Sequence, residues 1–114
     1  MPTVTRRIVH IKAKNVRWTM TKNRKSGRIV AVCDALNLTL EADTEDELRS
    51  LIPEAIHVLM LDLFEDDELS KFLKDRGWQA LNLPERHDGD IGFDVPWQLV
   101  AARGARRDSE RRAH

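Results

Sequence analysis

Between residues 35 and 56 the chain reads ALNLTLEADTEDELRSLIPEAI, and its apolar spacing changes within three positions from every second residue to every third or fourth. Leu38, Leu40 and Ala42 face one way and Thr39 and Glu41 the other, which is a half-buried strand. Thr44 with Glu47 three residues on is a capping box, and Glu45, Asp46 and Glu47 put negative charge on the positive end of a helix dipole. Leu48, Leu51, Ile52, Ala55, Ile56, Leu59, Met60 and Leu63 then follow helical spacing and form one broad stripe that must lie on a sheet. A strand passing directly into a capped, core-forming helix leaves few folds open. Pro53 removes the bond to the Arg49 carbonyl; the expectation is a bend with helix resuming to about Phe64, the alternative a break into two short helices.

Upstream, RIVHIKAKNVRWTM alternates with a change of parity. Val9, Ile11 and Ala13 share one side, then Val16, Trp18 and Met20 share the other, which predicts one long strand bulged near Lys14-Asn15. TKNRKSG reads as a hairpin loop, RIVAVC as a central strand, and Asp34 to Asn37 as a turn with Asn37 left-handed. Downstream, Glu65-Asp66-Asp67 is read as the opening of a second helix that ends before Gly77. A loop follows over residues 84 to 92, then a strand from Phe93 to Ala101 with Pro96 at an edge position.

The fold class expected is α+β: a three- to four-stranded, mainly antiparallel sheet in the order β-β-β-α-α-β, with the long helix packed on one face. One domain over residues 1–103 is expected, followed by a basic tail over residues 104–114 that is mobile or orders on binding.

Net charge is zero, but the charge is segregated. Residues 1–33 hold nine Lys or Arg and no acid, whereas residues 34–75 hold thirteen acids against three bases. Such a distribution can steer a charged partner, or it can attract the molecule's own parts and a second copy. Hydrophobic residues are 41% and charged residues 33%, and no apolar run reaches the ~20 residues that a bilayer requires. No leader pattern is seen at the N-terminus, so the expectation is a cytoplasmic protein without membrane association. Cys33 is the single cysteine, which excludes an intrachain disulfide and reads as a small core residue.

No catalytic signature is legible, and the chain is read as non-enzymatic, with no cofactor and no metal site. His10, His57, His87 and His114 lack metal-ligand spacing, and His57 near Glu54 reads as a solvated helix pair. The carboxylates at 43–47 and 65–68 are taken as capping groups at helix starts. An enzyme would need a pocket of convergent polar groups. Two interaction surfaces follow from charge. Asp62, Glu65, Asp66, Asp67 and Glu68 form an acidic stretch suited to a basic protein partner. Arg17, Lys22, Arg24, Lys25, Arg106 and Arg107, in a basic region that also contains Trp18, are candidate nucleic-acid contacts.

The run VAVCDALNLTLEADTEDELRSLIPEAIHVLMLDL resembles the HicB-like antitoxin superfamily, in which a strand leads through a turn to a second strand, a Thr cap and a helix ending in acidic residues. The resemblance covers about residues 7–64, with residues 93–101 completing it. It implies a partial ribonuclease H-like fold without catalysis, a homodimer, and binding to a small basic ribonuclease toxin. The sequence departs from the family where Ala35 and Asn37 stand in place of a Pro-Gly turn, and a separate C-terminal DNA-binding module is not seen.

Overall fold

The computed structural model describes residues 7–84 and 90–102. It is α+β, with β1 Arg7–Lys12, β2 Val16–Lys22, β3 Ile29–Cys33, β4 Leu38–Ala42, α1 Glu45–Glu65, α2 Leu69–Asp75, β5 Gln79–Leu81, β6 Ile91–Asp94 and β7 Trp97–Ala101. The described residues fall into two compact units, one drawn from 7–15, 53–84 and 90–96, the other from 16–52 and 97–102. The expected tail, residues 104–114, lies outside the described residues.

The first unit holds a three-stranded sheet in the order β5-β1-β6. Here β1 pairs antiparallel with β5 and parallel with β6, so that His10 stands opposite Leu81 on one side and Asp94 on the other. The second unit holds a four-stranded sheet in the order β4-β3-β2-β7, a meander closed by β7 lying parallel to β2.

Two expectations are corrected by this topology. The segment from Arg7 to Met20 is two strands in two sheets, separated at residues 13–15, rather than one bulged strand. Likewise, Phe93 to Ala101 divides at Val95-Pro96, because proline has no N–H for a ladder and ends the pairing there. Among the described residues there are therefore seven strands in two sheets in place of one sheet of three or four. The parity change read from the sequence is real: Val9 and Ile11 are buried, then Val16 and Trp18. Its cause is a break between sheets, since a parity shift permits either a bulge or a new strand.

The turn at 34–37 places Asn37 at φ 56°, as its short polar side chain allows. The β2–β3 loop is organised by Asn23, whose Oδ1 accepts from the backbone N–H of Lys25 (2.9 Å) and of Ser26 (3.2 Å), and by Gly27 at φ 75°. At the start of α1 the backbone N–H of Glu47 donates to Thr44 Oγ1 (3.1 Å), and Glu47 Oε1 accepts from the N–H of Asp43 (2.8 Å). The box thus reaches back one residue beyond the cap.

The helix runs uninterrupted through Pro53, and the alternative of two short helices is not what forms. Pro53 and Arg49 are both exposed, so the carbonyl that loses its partner can turn to water. Leu48, Ile52, Ile56, Met60 and Phe64, each four residues from the last, are the buried face. In the first unit the Phe64 ring meets Phe93 of β6 edge-on at 6.3 Å between centroids.

Thr44→Ala is expected to lower stability by about 1 kcal/mol in urea unfolding, the usual cost of losing an N-cap side chain. A variant with an unchanged midpoint would show that Asp43 and Glu47 fix the helix start without the hydroxyl.

Candidate functional site

The five carboxylates of the acidic stretch lie together in the first unit, and all are exposed. Their place in the backbone differs from expectation. Glu65 is the last residue of α1, while α2 does not begin until Leu69. Between them the chain closes α1 with a Schellman turn: the N–H of Glu68 donates to the Leu63 carbonyl (2.8 Å), that of Asp67 to Phe64 (3.2 Å), and Asp67 takes φ 60°. Glu68 caps α2 without any side-chain hydrogen bond. The reading of these acids as capping groups at a helix start is therefore corrected for Glu65, Asp66 and Asp67, while Glu68 holds the cap position of α2 without a capping side-chain bond.

Glu68 stands at the N-cap of α2, while Asp62, Glu65, Asp66 and Asp67 sit at the negative end of α1, whose last turn contains no base. Carboxylates there are opposed by the dipole, by a few tenths to about 1 kcal/mol for each well-placed charge. Asp67 also occupies a position where glycine is usual. Among the described residues no ion pair engages Asp62, Asp66, Asp67 or Glu68. Asp62, Asp66, Asp67 and Glu68 thus present exposed negative charge with no ion pair among the described residues, and Asp67 does so on a locally unfavourable backbone.

The basic candidates lie in the second unit. Arg17 is exposed on β2, and Lys22, Arg24 and Lys25 project from the end of β2 and the hairpin loop. Trp18, the aromatic of this basic region, is 0% exposed, in keeping with its place on the apolar side of the strand. It sits at an inward-facing strand position between Arg17 and Thr19, and its buried indole N–H finds no acceptor among the described residues. Arg28 at the root of the hairpin is matched by charge, with Nε 3.2 Å from Glu41 and Nη1 3.3 Å from Asp43, although its Nε–H is not aimed to donate. Arg106 and Arg107 lie outside the described residues.

His57 lies near Phe93, ring centroids 6.0 Å apart, and no hydrogen bond joins it to Glu54 among the described residues. A pair not seen in the sequence is His10 with Asp94, Nδ1 to Oδ2 3.0 Å, created by the parallel register of β1 and β6. Both side chains are more than half exposed, so the pair is a surface contact of small energetic weight. Its 84-residue separation leaves no local signal that could have revealed it.

Sequence reading also passed over two open depressions of the first unit that share Trp78. Lys12, Lys14 and Arg76 line one, and Lys74 lines the other. Among the described residues no group of three or more His, Cys, Asp or Glu side chains is placed to hold a metal ion, and no helix is long and apolar enough to cross a membrane.

Burial pushes the Cys33 thiol up. The Asp34 carboxylate adds to this, against the opposing hydrogen bonds from the backbone at Leu36 and Ala35. No family model, no characterised protein and no solved structure matches the chain.

Two outcomes are expected. Asp66→Asn with Asp67→Asn should stabilise the protein by about 0.5 kcal/mol or more, because two charges leave the negative helix end; a lower urea midpoint would show that the carboxylates are satisfied locally. For Cys33, the unfolded thiol ionises near pH ~8.5 while the folded one stays protonated. This contribution to stability is thus complete below that pH and is lost as pH rises toward the folded value. Cys33→Ala should flatten the alkaline decline in a urea titration from pH 7 to 10, and an identical decline in both proteins would assign it to other groups.

Proposed function

We propose that the protein is a non-catalytic protein-binding module of HicB-like antitoxin type, which binds and neutralises a small basic ribonuclease toxin in the cytoplasm. The observation that carries this reading is the exposed cluster Asp62, Glu65, Asp66, Asp67 and Glu68 between α1 and α2, whose first four members the α1 dipole opposes. Charge kept at a local cost, with no ion pair among the described residues for four of its five members, suits a cationic partner. Complementary potential would speed association and reject acidic competitors.

The order of elements lends further support. A meander of β2, β3 and β4 leads into the Thr44-capped helix, and Trp97–Ala101 closes the sheet beside β2, within the segment that the resemblance assigns to completion of the fold. In this reading the protein is a homodimer. The outward side of the four-stranded sheet offers β-branched Val30, Val32 and Val100, with Val32 38% exposed, as a surface for self-association.

The second reading, a nucleic-acid accessory protein using the N-terminal hairpin, retains exposed Arg17, Lys22, Arg24 and Lys25. It loses its aromatic, because Trp18 is inside.

Co-expression with a small basic protein encoded beside this one is expected to give a stoichiometric complex and to restore growth. Reversal of Glu65, Asp66 and Glu68 to lysine should abolish both while leaving the fold intact by circular dichroism. Unaltered co-purification of the reversed variant would sink the acidic-surface reading, and absence of any complex would sink the antitoxin reading. In solution the mass by light scattering should be that of a dimer and should fall on Val32→Glu; a monomeric parent protein would remove dimerisation from the proposal.

A further inference from the structure

We propose that the first unit carries a separate binding surface for single-stranded nucleic acid, centred on Trp78. The two depressions that meet at this residue are lined by Lys12, Lys14 and Arg76 on one side and by Lys74 on the other, and neither is lined by an Asp or Glu among the described residues. Four basic residues from two stretches distant in sequence line the depressions on either side of one half-buried indole. The negative end of α2 accounts for Lys74 and Arg76, which are favoured at a helix C-terminus. It does not account for Lys12 and Lys14, which belong to the end of β1 and the break that follows.

The aromatic is held in place before any ligand arrives. Gly77, at φ 72°, closes α2 in a Schellman turn in which the N–H of Trp78 donates to the Leu73 carbonyl at 2.8 Å. Phe72 meets the Trp78 ring edge-on, with centroids 6.4 Å apart, and the Arg76 guanidinium lies 3.6 Å from the Phe72 centroid while its Nη1 donates to the Phe72 carbonyl. Arg76 is thereby tied over an aromatic face rather than free to follow a ligand, and the mobile charges are the exposed lysines.

The chemistry of these groups selects the occupant. Lysines satisfy phosphates as compact charges that tolerate any sequence, and a half-buried indole between them can stack a base. A duplex presents phosphates but hides its base faces, and an acidic protein segment has no π-face to stack. A single strand supplies both along its length. This surface is distinct from the acidic end of α1, which would repel a polyanion, and it does not depend on the antitoxin reading.

The test uses the full chain and fluorescein-labelled 12-nucleotide oligo-dT and oligo-U, followed by anisotropy at about 20 mM and about 200 mM NaCl. Binding is expected at low salt, with at least a tenfold loss at high salt. Trp78→Ala should weaken it about tenfold or more, and Trp78→Phe should retain most of it. Lys12→Glu with Lys14→Glu should weaken it similarly, whereas Lys22→Glu with Arg24→Glu should leave it unchanged. If Trp78→Ala does not fold, the Phe variant and the lysine pair decide the matter. No low-salt binding, equal or tighter binding of a duplex of the same length, or loss confined to the Lys22/Arg24 pair would each overturn the proposal. An acidic peptide that binds equally well would also overturn it, since stacking would then contribute nothing.

Discussion

Parallel pairing between the early and late strands is the constraint on which both sheets depend. Arg7 to His10 pair with Ile91 to Asp94, and Val16 to Met20 with Trp97 to Ala101. The first ladder joins residues separated by 84 positions and the second by 81, so three more residues lie between β1 and β2 than the partner segment can match. Those residues fall at the break around Lys14, and Pro96 marks the break opposite. Without the late strands, β1 keeps only the short β5, and β2 keeps only its hairpin with β3. Parallel strands require long connections, and here the connection contains the meander and both helices.

The helix ends show how charge and backbone can be opposed. At its start α1 obeys every local preference: a Thr44 hydroxyl on an orphan N–H, Glu47 reaching back to Asp43, and Glu45 bonded to Arg49 one turn on. At its end the preferences are reversed, with acids in place of bases and aspartate in the left-handed position. Helix α2, by contrast, ends with Lys74, Arg76 and Gly77 in favourable order. Natural sequences relax local consistency mainly where another requirement intervenes, and the end of α1 is the clearest such place in this chain.

Local features were legible in the sequence, and long-range ones were not. The cap at Thr44, the buried face of α1, left-handed Asn37, the glycine closing α2 and the buried Cys33 each follow from a few neighbouring residues. The division into two sheets was hidden because Lys14-Asn15 and Val95-Pro96 each admit a bulge or a break, and only the partner strand decides between them. Acids at 65–67 were assigned to the start of the second helix because a non-glycine residue, Asp67, makes the left-handed turn between the helices. The burial of Trp18 was legible from alternation along β2, which turns Arg17 outward and the indole inward. Trp78 gained its meaning from Lys12 and Lys14, more than sixty positions away in sequence.

The interleaving of the two units bears on how the chain is made. During synthesis the ribosome releases the capped helix and the β2–β3–β4 meander early, but β6 and β7 are among the last of the described elements to emerge. Until they do, the sides of β1 and β2 that await them remain open edges, able to pair with any extended segment nearby. The first sheet is completed only when β6 emerges and the second only when β7 follows, so the nascent protein passes through a period in which two unfinished sheets await strands only a few residues apart.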